Sequence, residues 1–155
     1  MIILPSTPSG ITIFCDDIRH EVTGKLSLIG VYESIASGTP IVIPQLCMIT
    51  KVRLKQSELP FLLSLKIIFE DEEFSEEIIQ EMELNIPAVD AELLTSQDVI
   101  FSDKEGITYA QFQTQTSLIN FPVSKSGRIK VRMFDGDNQI ALGALRILIA
   151  PQSNT

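Results

Sequence analysis

The sequence predicts an all-β protein, a two-sheet antiparallel β-sandwich of about eight strands. Several segments alternate apolar and polar residues with a period of two, and turn-forming residues separate these segments at fairly regular spacing. Helical periods are few, and strands do not alternate with helices along the chain. Because periodicity does not encode strand order, immunoglobulin-like, jelly-roll and calcium-lipid-binding-like topologies all stay open.

The chain begins with a predicted hairpin. Residues 1–10 contain two prolines, three serine or threonine hydroxyls and a glycine, which predicts an irregular lead-in. Residues 11–19 are rich in β-branched and apolar side chains, as a first strand requires. A polar stretch containing Gly24 follows, and residues 26–34 then predict the returning strand.

The clearest period-two pattern lies in the middle of the chain. Pro40 and Pro44 bracket residues 41–43, so we expect only a short edge piece there. Beyond it, apolar or β-branched side chains alternate with cations, namely Leu46, Met48, Thr50, Val52 and Leu54 against Lys51, Arg53 and Lys55. After a turn at residues 57–60, residues 63–69 alternate in the same way. Two successive strands of this kind predict antiparallel pairing.

Further strands are predicted in the second half. Residues 77–85 alternate acids with other side chains and predict a strand, and residues 90–97 leave room for one short helix. Within residues 110–118, apolar and threonine side chains alternate with a row of glutamines, which predicts a strand with one solvent-exposed face. Residues 128–133 and 139–150 flank an Asp-Gly turn and form the most strongly indicated hairpin.

Length, cysteine count and hydropathy favour one soluble domain. The 155 residues suit a single domain with a core over about residues 11–150 and irregular ends at 1–10 and 151–155. No signal-peptide pattern opens the chain, and no apolar run reaches the roughly 18 residues of a membrane span. Cys15 and Cys47 are too few for a disulfide framework, so we expect two buried free thiols and a cytoplasmic location.

The net charge of −8 is concentrated in one segment. Residues 70–92 hold ten of the 20 acids and no Lys or Arg, so the rest of the chain carries a net +2. Half of the twelve cations form two rows, each on one face of a strand, namely Lys51, Arg53 and Lys55, and Arg128, Lys130 and Arg132. We expect pairing with acidic rows such as Glu77, Glu81 and Glu83, and otherwise an interaction surface. Since the chain has no Trp and two Tyr, nucleic acid is not an expected partner.

No set of residues indicates catalysis. The only histidine, His20, lies in the predicted first turn, where we expect it to be solvated. Together with Cys15 and Cys47 it is one residue short of a four-ligand zinc site. Asp16 and Asp17 face opposite sides of a strand and would not share a proton. We therefore expect no cofactor, no metal and no enzyme activity, with paired-carboxylate catalysis as the least favoured option.

One acidic loop supports a calcium alternative. Calcium takes six to eight oxygen ligands. If several loops share one end of the sandwich, these could come from Asp135, Asp137 and Asn138 together with Asp16, Asp17 or Asp71. Against this, an Asp-Gly pair is what a tight hairpin turn requires without any metal.

The first hairpin resembles an uncharacterised family of prokaryotic proteins known as a domain of unknown function. The similar segment runs Phe-Cys-Asp-Asp-Ile-Arg at residues 14–19, through Glu21 and Gly24-Lys25, to Leu-Ser-Leu-Ile-Gly-Val-Tyr at residues 26–32. The resemblance implies a stand-alone β protein without an assigned activity and carries over no catalytic residue. In this segment Gly24 suits a positive-φ turn position, and Gly30 suits a bulge or a close approach of backbones.

Taken together, these observations predict a non-catalytic β-sandwich that acts as a protein-binding or assembly module. Its partner would be an unidentified protein or, in a homo-oligomer, a second copy of the chain. The alternative function is calcium-dependent membrane or ligand binding at the loop of Asp135 to Asn138.

Overall fold

The computed structural model describes residues 8–58, 61–86, 101–102 and 104–151. This part of the chain holds ten strands and a single 3-10 turn at Gln56–Glu58. The strands are β1 (Ser9–His20), β2 (Leu26–Val31), β3 (Ser34–Ser37), β4 (Ile41–Lys55), β5 (Phe61–Asp71), β6 (Glu76–Ile86), β7 (Phe101–Ser102), β8 (Thr108–Val123), β9 (Gly127–Asp135) and β10 (Asn138–Ile149). None of the described residues forms a helix long and apolar enough to cross a bilayer.

The strands form two five-stranded sheets, which confirms the predicted all-β, mainly antiparallel class. Sheet A has the order β2-β1-β4-β8-β7, and sheet B has the order β3-β10-β9-β5-β6. The pairing is antiparallel throughout except between β3 and β10, which run parallel. The short helix expected at residues 90–97 lies outside the described residues.

The core lies between the two sheets and is built from alternate residues of the long strands. The inner face of each sheet is the one that meets this core, and the outer face is the opposite one. The inner faces of β4, β5 and β9 contribute side chains that are at most 3% exposed, namely Leu46, Met48, Val52, Leu54, Leu63, Leu65, Ile67, Ile129, Val131 and Met133. Burying one such side chain contributes about 1.5–3 kcal/mol.

The expectation of a short edge piece at residues 41–43 is correct in placing them at an edge and wrong about the length of the strand. Residues 41–43 begin β4, a strand of 15 residues that pairs with both β1 and β8. The ladder between β4 and β8 omits Pro44 and Asn120, and Asn120 adopts a φ of 50°. The pairing of β4 with β1 starts only at Cys47. β4 therefore tolerates this proline, because at Pro44 it has a neighbouring strand on one side only and its ladder with that strand is interrupted.

A bulge in β6 changes which of its acids share a face. The register between β5 and β6 shifts by one residue between Ile67 and Ile68. Because one extra residue reverses the alternation, Glu76 lies on the same outer face as Glu81 and Glu83, whereas Glu77 lies opposite the inward-facing Phe69. The row expected from residues 77, 81 and 83 is thus divided between two faces.

The end of the first hairpin lies against the outer face of sheet A. β1 pairs with β4 as far as Cys15, which stands opposite Cys47, and continues with β2 alone. His20 Nε2 then lies 3.2 Å from Oε1 of Gln115 on the outer face of β8. The two cysteines project from the outer face, yet each is at most 3% exposed, and both are free thiols. The hairpin therefore buries a second, smaller apolar layer outside the main core.

Candidate interaction surfaces

The outer face of sheet B carries a charge cluster centred on Glu70. The Glu70 carboxylate is 7% exposed and accepts a hydrogen bond of 2.6 Å from Lys130 Nζ. Arg128 and Arg132 each approach the same carboxylate to 3.9 Å. Arg132 also donates two hydrogen bonds, of 3.0 and 2.7 Å, to the carboxylate of Glu76. The basic row of β9 is therefore paired with acids of the same molecule, most closely at Lys130 and Arg132.

Glu76 is the acid of this cluster that is held in its ionised form. The guanidinium of Arg132 lowers the pKa of Glu76 below its ordinary value, chiefly through these hydrogen bonds. On the same face Lys66 Nζ lies 3.7 Å from Glu81 Oε1 and also stands over the ring of Phe134. The sequence predicts cross-strand ion pairs for the basic row of β9. Glu70 and Glu76 supply most of these pairs, rather than the acids that the sequence pattern singles out.

The outer face of sheet A carries the other basic row with different surroundings. In the ladder, Lys51 stands between Ile11 and Gln113. Arg53 stands between Ser9 and Gln111, and Lys55 stands opposite Tyr109. All of these registered neighbours are neutral, and the three cations are half-buried along their length. The residues directly opposite the basic row of β4 are thus neutral, on β1 for Lys51 and Arg53 and on β8 for all three cations.

The candidate calcium ligands lie at opposite ends of the fold. Asp135 and Asn138 pair with each other across a turn in which Gly136 adopts a φ of 57°. Asp71 stands beside Gly127 at the other end of β9, about 26 Å away at the usual rise of a strand. Across the described ranges, no group of three or more His, Cys, Asp or Glu side chains is placed to hold a metal ion. The Asp135 loop therefore gains no ligand from Asp71.

Asp71 has a structural environment of its own. Its Oδ1 accepts the backbone N–H groups of Glu73 and Ser75 at 3.0 and 2.9 Å, and its Oδ2 accepts a hydrogen bond of 2.7 Å from Lys125 Nζ. The bond from Lys125 is the main reason that the pKa of Asp71 is lowered. This carboxylate fixes the turn between β5 and β6.

Asp16 and Asp17 serve different partners, as their positions on a strand require. The hydroxyl of Tyr32 donates a hydrogen bond to Asp16 Oδ1, which raises the pKa of Tyr32 to about 12. Asp17 Oδ1 accepts the backbone N–H of Ile18 at 2.9 Å. No sequence pattern indicates the Tyr32 contact, because it depends on Gly30 bringing the two strands together. A Cβ at residue 30 would overlap the Asp16 carboxylate.

Comparison with protein families gives a match over most of the chain. The model of a family of unknown function, DUF6941, matches residues 10–147. No curated protein matches the chain. The matched residues run from the start of β1 almost to the end of β10, so they include the charged faces of both sheets.

Proposed function

Because the chain belongs to DUF6941, a family of unknown function, we propose its role from its own surfaces: it is a protein-binding module that binds an acidic partner segment on sheet A. One observation carries this proposal. The outer face of β4 presents Lys51, Arg53 and Lys55 between neutral registered neighbours in a chain whose net charge is −8. A basic face on an acidic protein attracts partner segments of opposite charge.

The contrast with sheet B strengthens the argument. The β9 row has the same size and spacing, but Glu70 and Glu76 form ion pairs with it. The cations of β4 stand roughly 7 Å apart along the strand, so they repel one another weakly. The registered neighbours of Lys51 and Lys55 carry no opposite charge. A partner segment whose carboxylates have this spacing can therefore form ion pairs with the cations of β4.

The chemistry of the face defines its partner. Acids at every second residue of an extended segment have the same roughly 7 Å spacing as the β4 row. Gln111 and Gln113 lie beside the cations and offer side-chain amides to such a segment. A second copy of the chain, with Glu81 and Glu83 on one face of β6, has this chemistry, and so does an acidic segment of another protein.

We place this module in the cytoplasm. Cys15 and Cys47 stand opposite each other in the ladder and remain free thiols. Cross-strand cysteines of a secreted protein would meet an oxidising environment, whereas the cytosol keeps thiols reduced.

The test compares two double variants that lose the same charge. Lys51→Gln with Arg53→Gln removes two cations from the face, and Lys25→Gln with Lys104→Gln removes two from exposed turns. Tagged full-length proteins are used to capture proteins from a lysate of the native host, and a synthetic Glu-rich peptide is titrated against each. We expect salt-sensitive binding that the first variant loses and the second retains. Equal retention by both variants would show that this face is not the binding surface.

Light scattering then identifies the class of partner. If a second copy occupies the face, the wild type and the Lys25/Lys104 variant have twice the monomer mass, and the Lys51/Arg53 variant has the monomer mass. If all three are monomers and capture depends on Lys51 and Arg53, the partner is a different acidic protein.

A further inference from the structure

Two arginines face each other on sheet B without an intervening acid. Arg128 and Arg146 are directly opposite in the ladder of β9 and β10, on its outer face. Arg128 approaches Glu70 to 3.9 Å, whereas Arg146 has no carboxylate within 4.0 Å among the residues that the structure describes. Like charges directly opposite in a ladder destabilise it. An anion bound between the two guanidiniums would remove this repulsion.

A strained aromatic residue lies beside this arginine pair. Phe74 adopts a φ of 64°, which is unfavourable for a bulky side chain, and it is 75% exposed. The turn holds this conformation because Asp71 accepts the N–H groups of Glu73 and Ser75. Packing within the fold does not compensate for the strain, since the ring projects into solvent. Strain of this kind concentrates at functional sites.

The arginines and the aromatic ring share one cleft. Phe74, Arg128, Arg146 and Leu148 line a cleft of about 230 Å³, and Leu148 is 37% exposed. Pockets for drug-sized ligands measure about 300–1,000 Å³, so this smaller cleft fits one ring or short aliphatic group with its polar substituent. Three carboxylates also line the cleft. Glu70 and Asp71 are already held by Lys130 and Lys125, and Glu72 is exposed to solvent.

We propose that this cleft binds a small organic anion, a carboxylate or phosphate monoester that carries an apolar group. The planar guanidinium of Arg146 binds the anion through two parallel hydrogen bonds, and Arg128 contributes a second positive charge. The apolar group lies between the ring of Phe74 and the side chain of Leu148. This site is independent of the basic face of sheet A, because the two lie on different sheets.

The experiment titrates the full chain by isothermal calorimetry with phenyl phosphate, phenylacetate and inorganic phosphate. We expect at least one aromatic anion to bind about tenfold or more tightly than inorganic phosphate, because only the aromatic anions contact Phe74 and Leu148. The two aromatic arms distinguish a phosphate ester from a carboxylate as the preferred ligand. Binding of none of the three, or equal binding of all three, would overturn the proposal.

Two variants, Arg146→Gln and Phe74→Gly, test whether these residues bind the anion. A third variant, Lys25→Gln, is the control for the loss of one positive charge. Arg146→Gln should weaken the preferred anion about tenfold or more, whereas Lys25→Gln, which removes one charge from a distant turn, should not. Phe74→Gly should weaken the aromatic anion without reducing the melting temperature, because glycine accepts the positive φ. Unchanged affinity in Arg146→Gln, or a loss of affinity in Phe74→Gly that follows unfolding, would contradict the assignment.

Discussion

Phe74, in the turn between β5 and β6, has a backbone conformation that destabilises the fold. A left-handed backbone costs a non-glycine residue about 1–2 kcal/mol, and the exposed ring recovers little of it. Phe74→Gly should therefore raise the free energy of unfolding by about 0.5–1 kcal/mol, the gain being reduced by the greater freedom of glycine in the unfolded chain. Urea unfolding measures this change.

The matched control at the same position is Phe74→Ala. Alanine keeps the Cβ that disfavours a positive φ, so its stability should stay close to that of the wild type. A loss of stability in the glycine variant would mean that the ring supports the fold, and the strain argument would not stand.

The hydrogen bond from Tyr32 to Asp16 predicts an alkaline transition. The folded pKa of Tyr32, about 12, lies above its ordinary value, so the protonated hydroxyl stabilises the fold. This contribution is present below about pH 10 and is lost as the pH rises through the folded value. The ultraviolet absorbance of tyrosinate, followed against pH, should show a late step that disappears in Tyr32→Phe. In Asp16→Asn the step should move to lower pH; a late step that survives Tyr32→Phe would exclude this assignment.

The sequence indicates some of these residue roles and misses others for physical reasons. Gly24 and Gly30 are expected at a turn and a close approach, and they adopt φ values of 81° and 65°. The turn at Phe74 is missed because such a short loop ordinarily has Gly or Asn at its left-handed position. Glu70 is missed as a cluster centre because its burial depends on three cations that are distant in sequence.

At the scale of elements, Glu70 connects β5 to β9, and its removal should weaken sheet B. Glu70→Gln leaves Arg128, Lys130 and Arg132 without their shared acid, and breaking a buried pair costs about 3–5 kcal/mol. We expect a loss near the lower end of this range, since the cations are partly solvated. The control is Glu81→Gln on the same face, where a half-exposed pair with Lys66 contributes less than about 1 kcal/mol. Equal losses in the two variants, measured by chemical denaturation, would exclude Glu70 as the centre of the cluster.

The hairpin of β1 and β2 should open when Gly30 is replaced. Gly24 and Gly30 both have positive φ, but a Cβ at residue 24 meets open space, whereas a Cβ at residue 30 overlaps Asp16. Gly24→Ala should cost about 1–2 kcal/mol, and Gly30→Ala at least about 3 kcal/mol. Burial raises the pKa of Cys15, so its thiol reacts slowly in the folded protein.

The readout for the hairpin is the rate at which Cys15 and Cys47 react with a thiol reagent. Gly30→Ala should accelerate labelling under native conditions more than Gly24→Ala does, because the hairpin covers both thiols. If the two variants label at the same rate, the hairpin does not control access to the cysteines.

Local patterns predict the elements well, and interruptions within strands account for the errors. The first and last hairpins follow directly from period-two segments separated by glycine-containing turns. The length of β4 is underestimated because Pro44 lies inside a continuous strand, at a point where the strand pairs with β8 alone and the ladder omits Pro44 and Asn120. The acidic row is misgrouped because the bulge in β6 has no glycine to reveal it.

At the scale of the whole molecule, the charge of −8 is partly organised into ion pairs within one copy. Asp71 and Glu76 both have lowered pKa values in the folded chain, so their ionised forms stabilise it above the pKa of the unfolded state. This contribution disappears as the pH falls through the folded pKa values. The urea midpoint should therefore fall as the pH drops below about 4, the ordinary pKa of such carboxyl groups, and it should fall less in Asp71→Asn with Glu76→Gln. An equal fall in the double variant would mean that other carboxylates govern acid unfolding.

Whole-molecule topology is the level that the sequence does not predict. Periodicity assigns residues to faces, but it does not place β9 between β10 and β5, which lie on either side of it in the sequence. That placement brings the β9 cations beside Glu70, while β4 lies between β1 and β8, which offer neutral neighbours. The difference between the two basic rows is therefore a property of strand order.

The parallel pairing of β3 with β10 has a consequence for biosynthesis. Residues Ser34–Ser37 leave the ribosome early, but their partner residues 146–149 belong to β10, more than a hundred residues later in the chain. Until that strand emerges, β3 and one edge of β9 have exposed backbone donors and acceptors. Sheet B is thus completed only after translation has passed β10, and chains interrupted before that point expose strand edges that promote aggregation.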